Sequence, residues 1–225
     1  TDEACAGVKP YCDYVFSLGT IGHVRQFRNM IEFTVRDFIR YFWDVPSSHH
    51  HHHAAPWGHV LHSLEVACIE AESASHETIF SGADIDSERS KKNQGFTILG
   101  GFLVGLFHDA GKIYDLELTS RIGQTVYAYN PNQGGVLNFK LAHPAGLTLN
   151  WTPLRSGAHK RRNLFIMLNM IPRGLFYYMP KEVFLRTIDR LLAYDGLHSD
   201  KQSVASNLAQ DNALGKVMDT LGEMY

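Results

Sequence analysis

Phe96-Thr97-Ile98-Leu99-Gly100-Gly101-Phe102-Leu103-Val104-Gly105-Leu106-Phe107-His108-Asp109-Ala110-Gly111-Lys112 is the stretch that decides the fold. Its apolar residues surround the whole helical projection, so a helix built from it belongs at the centre of a bundle. The apolar run at 97–107 contains three glycines and is too short to span a bilayer. It closes on His108-Asp109, followed by Ala-Gly-Lys. An unpaired carboxylate buried at such a position costs several kcal/mol. A divalent metal would neutralise it, with imidazole nitrogen and carboxylate oxygen as ordinary ligands. A solvated His-Asp pair at a helix end is the other reading of these two residues alone.

Outward from this segment, the periodicity is helical. Val24, Phe27, Ile31, Val35, Phe38 and Phe42 recur at spacings that predict an amphipathic helix over 23–43. Leu61, Leu64, Ala67 or Cys68, and Ala71 predict a second over 58–75. Between them, 44–56 holds two prolines and five consecutive histidines at 49–53, a run inside the chain and therefore read as native. The polar stretch 81–94 reads as an exposed loop. Further helices are expected at 160–170, 181–194 and 201–221, with Pro180 opening the second of these. In 124–140, Thr125-Val126-Tyr127-Ala128-Tyr129 and Val136-Leu137-Asn138-Phe139 flank a turn-rich connector, the pattern of a β-hairpin. The expected fold is mainly α: one helical-bundle domain over 1–225, its core at about 23–221, with one inserted β-hairpin.

With 225 residues the chain can bury one sizeable core. A net charge of -2 provides no global field to recruit nucleic acid, so any contact with it needs a local patch. Arg155, Lys160, Arg161 and Arg162 form the concentrated one, and it suits a phosphodiester backbone or a simple solvated face. Cys5, Cys12 and Cys68 make neither a metal-finger spacing nor an even disulfide framework, which fits a reducing, cytoplasmic setting. No signal peptide or membrane span is read. A chain that begins at Thr is expected to be the N-terminal part of a longer protein.

His62 shares a helix face with Val66 and Ile69, where a lone histidine is usually a satisfied core residue. Paired with a later His-Asp-x-Gly-Lys it is more specific. His62-Ser63-Leu64-Glu65-Val66-Ala67 and His108-Asp109-Ala110-Gly111-Lys112 resemble the first two motifs of the HD superfamily of metal-dependent phosphohydrolases. The resemblance implies a metal held by His62, His108, Asp109 and a later Asp. Asp195 and Asp200 are the candidates. Asp200 is favoured because Asp-x-x-Ser-Val opening a helix is the superfamily's usual form, though Asp200 would also serve as a plain N-cap. Lys112 fits an anion contact one turn beyond the metal, or a helix-terminal cation.

A narrower resemblance spans roughly 40–210. Val45-Pro46-Ser47-Ser48, the His run, Ala54-Ala55-Pro56-Trp57-Gly58, Asp115 and Trp151-Thr152-Pro153-Leu154 are similar to the HD-domain relaxases of conjugative plasmids and integrative elements, the TraI-like MOBH class. Trp57 stands where that pattern has a glycine, and the His run is longer than the pattern requires. The resemblance implies one or two divalent ions, Mn first, with Fe, Mg or Zn as alternatives. It also implies nicking of a DNA strand at a transfer origin, with transfer-complex proteins as partners. His52 and His53 then complete a second metal site, act as proton carriers or phosphate contacts, or lie idle in a solvated loop. His159 and His143 are weaker added ligands. A covalently attached relaxase needs a tyrosine, and Tyr114 lies closest to the motif in sequence. Two other functions fit the motifs: an HD phosphohydrolase acting on nucleotides or cyclic dinucleotides, and a non-catalytic module docking through 81–94 or Phe176-Tyr177-Tyr178.

Overall fold

The computed structural model describes residues 2–18, 25–47, 55–77, 87–152 and 159–194, without the side chains of 2–6, 25–26, 87–92 and 159–160. In chain order these form α1 (Asp2–Ser17), α2 (Arg25–Tyr41), α3 (Gly58–Ser75), α4 (Ser87–Phe107), a 3-10 segment (Ala110–Asp115), β1 (Leu116–Ile122) and β2 (Thr125–Ala128). There follow α5 (Val136–Ala142), β3 (Leu147–Trp151), α6 (His159–Met170), α7 (Arg173–Tyr178) and α8 (Lys181–Ala193). The fold is mainly α, as the periodicity implies.

The centre of the bundle is α4. Ile98, Leu99, Phe102, Leu103, Val104, Leu106 and Phe107 are each 1% exposed or less, so between 97 and 107 no side of the helix faces water. By composition Asn93–Asp115 could cross a bilayer, but 89% of its apolar window is buried inside the protein, so the core already uses that apolarity. Two glycines bring α3 against α4. A Cβ on Gly101 would lie 2.5 Å from the Glu70 carbonyl oxygen, and one on Gly105 would lie 2.5 Å from that of Val66. On the other side, Gly100 faces Val183 and Thr187 of α8. Arg190 of α8 then joins Glu70 and Glu77 at 2.5 Å each, fastening α8 to the α3 side of the bundle.

Four expectations need correction. The core does not begin near 23, because Val8, Tyr11, Cys12, Val15 and Phe16 of α1 are buried in it. Pro10, which ordinarily ends a helix, lies inside α1 and hides its period. The polar stretch 81–94 is not all loop, since α4 begins at Ser87; Glu, Arg, Lys and Gln are strong helix formers whatever their polarity.

The hairpin is displaced. β2 pairs not with Val136–Phe139 but with β1, in register Ile122↔Thr125 across Gly123-Gln124, and Gly123 takes the positive φ (62°) that such a two-residue turn needs. β1 pairs on its other edge with β3. Leu116, Leu118 and Ser120 alternate inward, the period-two signal of a strand. Val136 and Leu137 are consecutive and both buried, and they sit in α5, whose Gly135 start presses on α2 close to the Tyr41 Cα. α7 is a fourth departure, because its six residues are too short to display a period. The helix expected at 201–221 lies outside the described residues.

The α3–α4 contact yields a prediction of unusual sign. Gly→Ala inside a helix ordinarily stabilises by about 1 kcal/mol. At Gly105 the added methyl meets backbone, and overpacking costs about 1–3 kcal/mol. Gly105→Ala is therefore expected to lower the urea midpoint. Equal or greater stability would contradict the close approach.

Candidate metal centre

The turn entering α3 is built on Trp57, which takes φ 68°, a left-handed conformation that favours glycine. Trp57 thus holds a backbone conformation that glycine adopts without strain. That costs about 1–2 kcal/mol, which burial of the indole (3% exposed) against Trp43, 4.2 Å between ring centroids, offsets. The His59 amide donates to the Val45 carbonyl at 2.9 Å, tying the preceding loop to α3. One turn on, His62 faces the end of α4.

At that end, His108 Nδ1 lies 2.6 Å from the Gly105 carbonyl, which only accepts, so Nδ1 carries a proton and donates. His108 Nε2 is thereby directed at His62 Nε2 (3.2 Å) and Asp109 Oδ2 (3.2 Å), with His62 Nε2 3.7 Å from the same oxygen. Lys112 Nζ caps that carboxylate at 2.5 Å. One ligand atom from each of His62, His108 and Asp109 falls within 4.8 Å of the others. His62 is the most open of the three, its side chain 21% exposed against 7% for His108 and 11% for Asp109. Burial pushes the Asp109 pKa up, but the hydrogen bonds from His108 and His62 and the charges of His108 and Lys112 outweigh it and hold the carboxyl well below the usual range. Two imidazole nitrogens 3.2 Å apart beside a buried anion need a proton or a cation among them. The donor set fits a divalent first-row metal.

Asn163 and Tyr194 carry no motif and escape sequence reasoning. Asn163 is fully buried. Its carboxamide oxygen accepts from the Gly111 amide at 2.6 Å, while its nitrogen donates to the His108 carbonyl. Its faint signal is a polar residue on the buried stripe of α6 that continues with Ile166 and Met167. The Tyr194 ring lies 5.0 Å from that of His108, and its buried hydroxyl has no hydrogen-bond partner among the described residues.

Of the other sequence candidates, His52, His53, Arg155, Asp195 and Asp200 lie outside the described residues. His159 opens α6 and Lys160 follows it. Arg161 is exposed, whereas Arg162 pairs with buried Asp115 at 3.0 Å. His143 stacks on Tyr127, 4.2 Å between ring centroids, and does not join the cluster. The Tyr114 hydroxyl donates to Asn132 Oδ1 at 2.8 Å, with the Arg162 guanidinium over its ring.

A family model, TraI_2, described as "Putative helicase", matches residues 21–141, more than half of the chain. The span contains His62, His108, Asp109 and Lys112 and ends before α6. No curated protein and no solved structure matches the chain.

Beside the cluster, His59 is 1% exposed, packed on Phe42 and Phe38, and neither ring nitrogen has a partner among the described residues. Burial lowers its pKa to about 3. An unfolded histidine titrates near 6.5. As pH falls from there towards 3, the unfolded chain takes a proton that the folded one refuses, so stability present above 6.5 is lost. His59→Phe is expected to remove up to about 1.4 kcal/mol per pH unit from that slope, read by denaturation at successive pH values. An unchanged slope would contradict the burial argument.

Proposed function

The chain belongs to the TraI_2 family, and from that premise we propose that it is a metal-dependent phosphodiesterase domain of HD type that nicks one DNA strand in a conjugative transfer system. The convergence of His62, His108 and Asp109 within 4.8 Å carries the proposal. The family description speaks of a helicase, whose motor needs a phosphate-cradling G-x-x-x-x-G-K-[ST] loop. This sequence has none.

In this reading His62, His108 and Asp109 hold a divalent ion, with Asp200 as the fourth ligand. Mixed imidazole and carboxylate donors suit a first-row ion, for which we take Mn first, with Fe, Mg or Zn as alternatives. When bound, the ion supplies Lewis acidity towards a phosphate oxygen. His62 leaves one face of the cluster open to an incoming phosphate, and Lys112 would provide positive charge beside Asp109 for a second phosphate oxygen. His52 and His53 would add a second ion or carry protons. The DNA strand would run over the start of α6, where Arg161 is exposed and Lys160 and Arg155 are near in sequence. Arg162 joins only by leaving Asp115. The proposed setting is cytoplasmic, with transfer-complex proteins as partners.

Single substitutions His62→Ala, His108→Ala and Asp109→Ala should each empty the site in elemental analysis and abolish cleavage of a single-stranded oligonucleotide. Metal at 100-fold its Kd should stabilise the unaltered protein by about 2.7 kcal/mol, and these variants not at all. Asp200→Ala should behave likewise and Asp195→Ala should not; the reverse pattern moves the fourth ligand to Asp195. Unchanged occupancy in the His108 and Asp109 variants would sink the assignment.

Neutralising Lys160, Arg161 and Arg162 together should weaken oligonucleotide binding across sequences. It should also flatten the log-log salt dependence by roughly 0.7 for each phosphate left without its cation, with metal still bound. An unchanged salt slope makes that patch a solvated face. Nucleotide hydrolysis without any DNA binding at low salt would favour an HD phosphohydrolase instead.

A further inference from the structure

Asp109 is the N-cap of the 3-10 segment Ala110–Asp115, yet its side chain makes no capping hydrogen bond. Aspartate is among the strongest N-cap residues, and its carboxylate ordinarily takes an amide two or three positions on. Here that carboxylate is turned to His108, His62 and Lys112 instead. The amide it would take, that of Gly111, is satisfied from another helix, because Asn163 Oδ1 accepts it at 2.6 Å. The same carboxamide donates to the His108 carbonyl, one of the carbonyls that the end of α4 leaves without a helical partner. The Gly111 N–H only donates and the His108 carbonyl only accepts, so the orientation of the Asn163 amide is determined by its partners.

We propose that Asn163 is a positioning residue of the metal centre: by capping the turn in place of Asp109, it keeps the Asp109 carboxylate available to the metal. This inference rests on the metal-centre reading above. Without Asn163 the carboxylate has an alternative partner two residues away, and each swing towards Gly111 removes a ligand. Groups that orient metal ligands in this way typically contribute 10- to 100-fold in affinity.

The test is titration of the full chain with Co2+, read by its visible absorption and by calorimetry. Asn163→Ala is expected to raise the Co2+ Kd roughly 10- to 100-fold and to shift the absorption bands. Asn163→Asp keeps an oxygen for the Gly111 amide but turns an acceptor, in place of the donor, to the His108 carbonyl, so it should retain the bands at lower stability. Thr187→Val supplies the comparison: it removes another buried polar group, one bonded to the Val183 carbonyl on α8, and should leave Kd and spectrum unchanged. An Asn163→Ala protein with the unaltered Kd and spectrum overturns the inference alone. Unaltered protein that binds no Co2+ overturns the metal reading and this inference with it. Should Asn163→Ala not fold, amide exchange in the Zn2+-loaded unaltered protein decides: Gly111 must be protected, and exchange at the rate of an exposed amide overturns the proposal.

Discussion

Two helices lie against each other at backbone distance, and the rest of the molecule is arranged around that contact. α4 approaches α3 this closely because Gly101 and Gly105 present no Cβ to the Glu70 and Val66 carbonyls and to Ala67. Gly105 has a second part in the arrangement, since its own carbonyl accepts the Nδ1 proton of His108. One residue therefore sets both the separation of the helices and the tautomer of an imidazole. Packing and chemistry are hard to separate here. Any side chain that pushed α3 outward would also carry His62 away from His108 and Asp109.

The electrostatics follow from that geometry. A buried carboxylate is unfavourable by itself, yet Asp109 is held ionised by two imidazoles and one ammonium that the same turn and the facing helix supply. The arrangement is asymmetric: one face of the cluster reaches solvent through His62, and the other is closed by the fully buried Asn163. α6 is thus more than a cover. Through Arg162 with Asp115 and Asn163 with Gly111 and His108, its first turns are keyed to the segment that carries His108 and Asp109. A protein with a net charge of -2 still concentrates opposite charges within a few ångströms where they matter.

Long periodic segments were legible in the sequence. The apolar spacing of 23–43 and 58–75 anticipates α2 and α3, and the helices expected at 160–170 and 181–194 match α6 and α8, each to within two residues, while the all-round apolarity at 97–107 anticipates a central α4. His62, His108 and Asp109 could be singled out because two imidazoles and a carboxylate on apolar faces need an explanation. α1 stayed hidden behind Pro10, and the inward face of β1 runs from Leu116 and Leu118 to polar Ser120, so its alternation is not one of apolar and polar residues throughout. Pairings between distant parts of the chain could not be read at all. Asn163 reaches His108 over 55 residues, and Arg162 reaches Asp115 over 47. They depend on which helix faces come to rest together, which no local pattern encodes.

The account stands or falls on whether a cation sits where the two helices deliver their ligands. Anomalous diffraction from crystals grown with Mn2+ measures this directly. The account predicts a peak coordinated by His62 Nε2, His108 Nε2 and Asp109. A peak confined to other residues, or none at that cluster under saturating Mn2+, would contradict it.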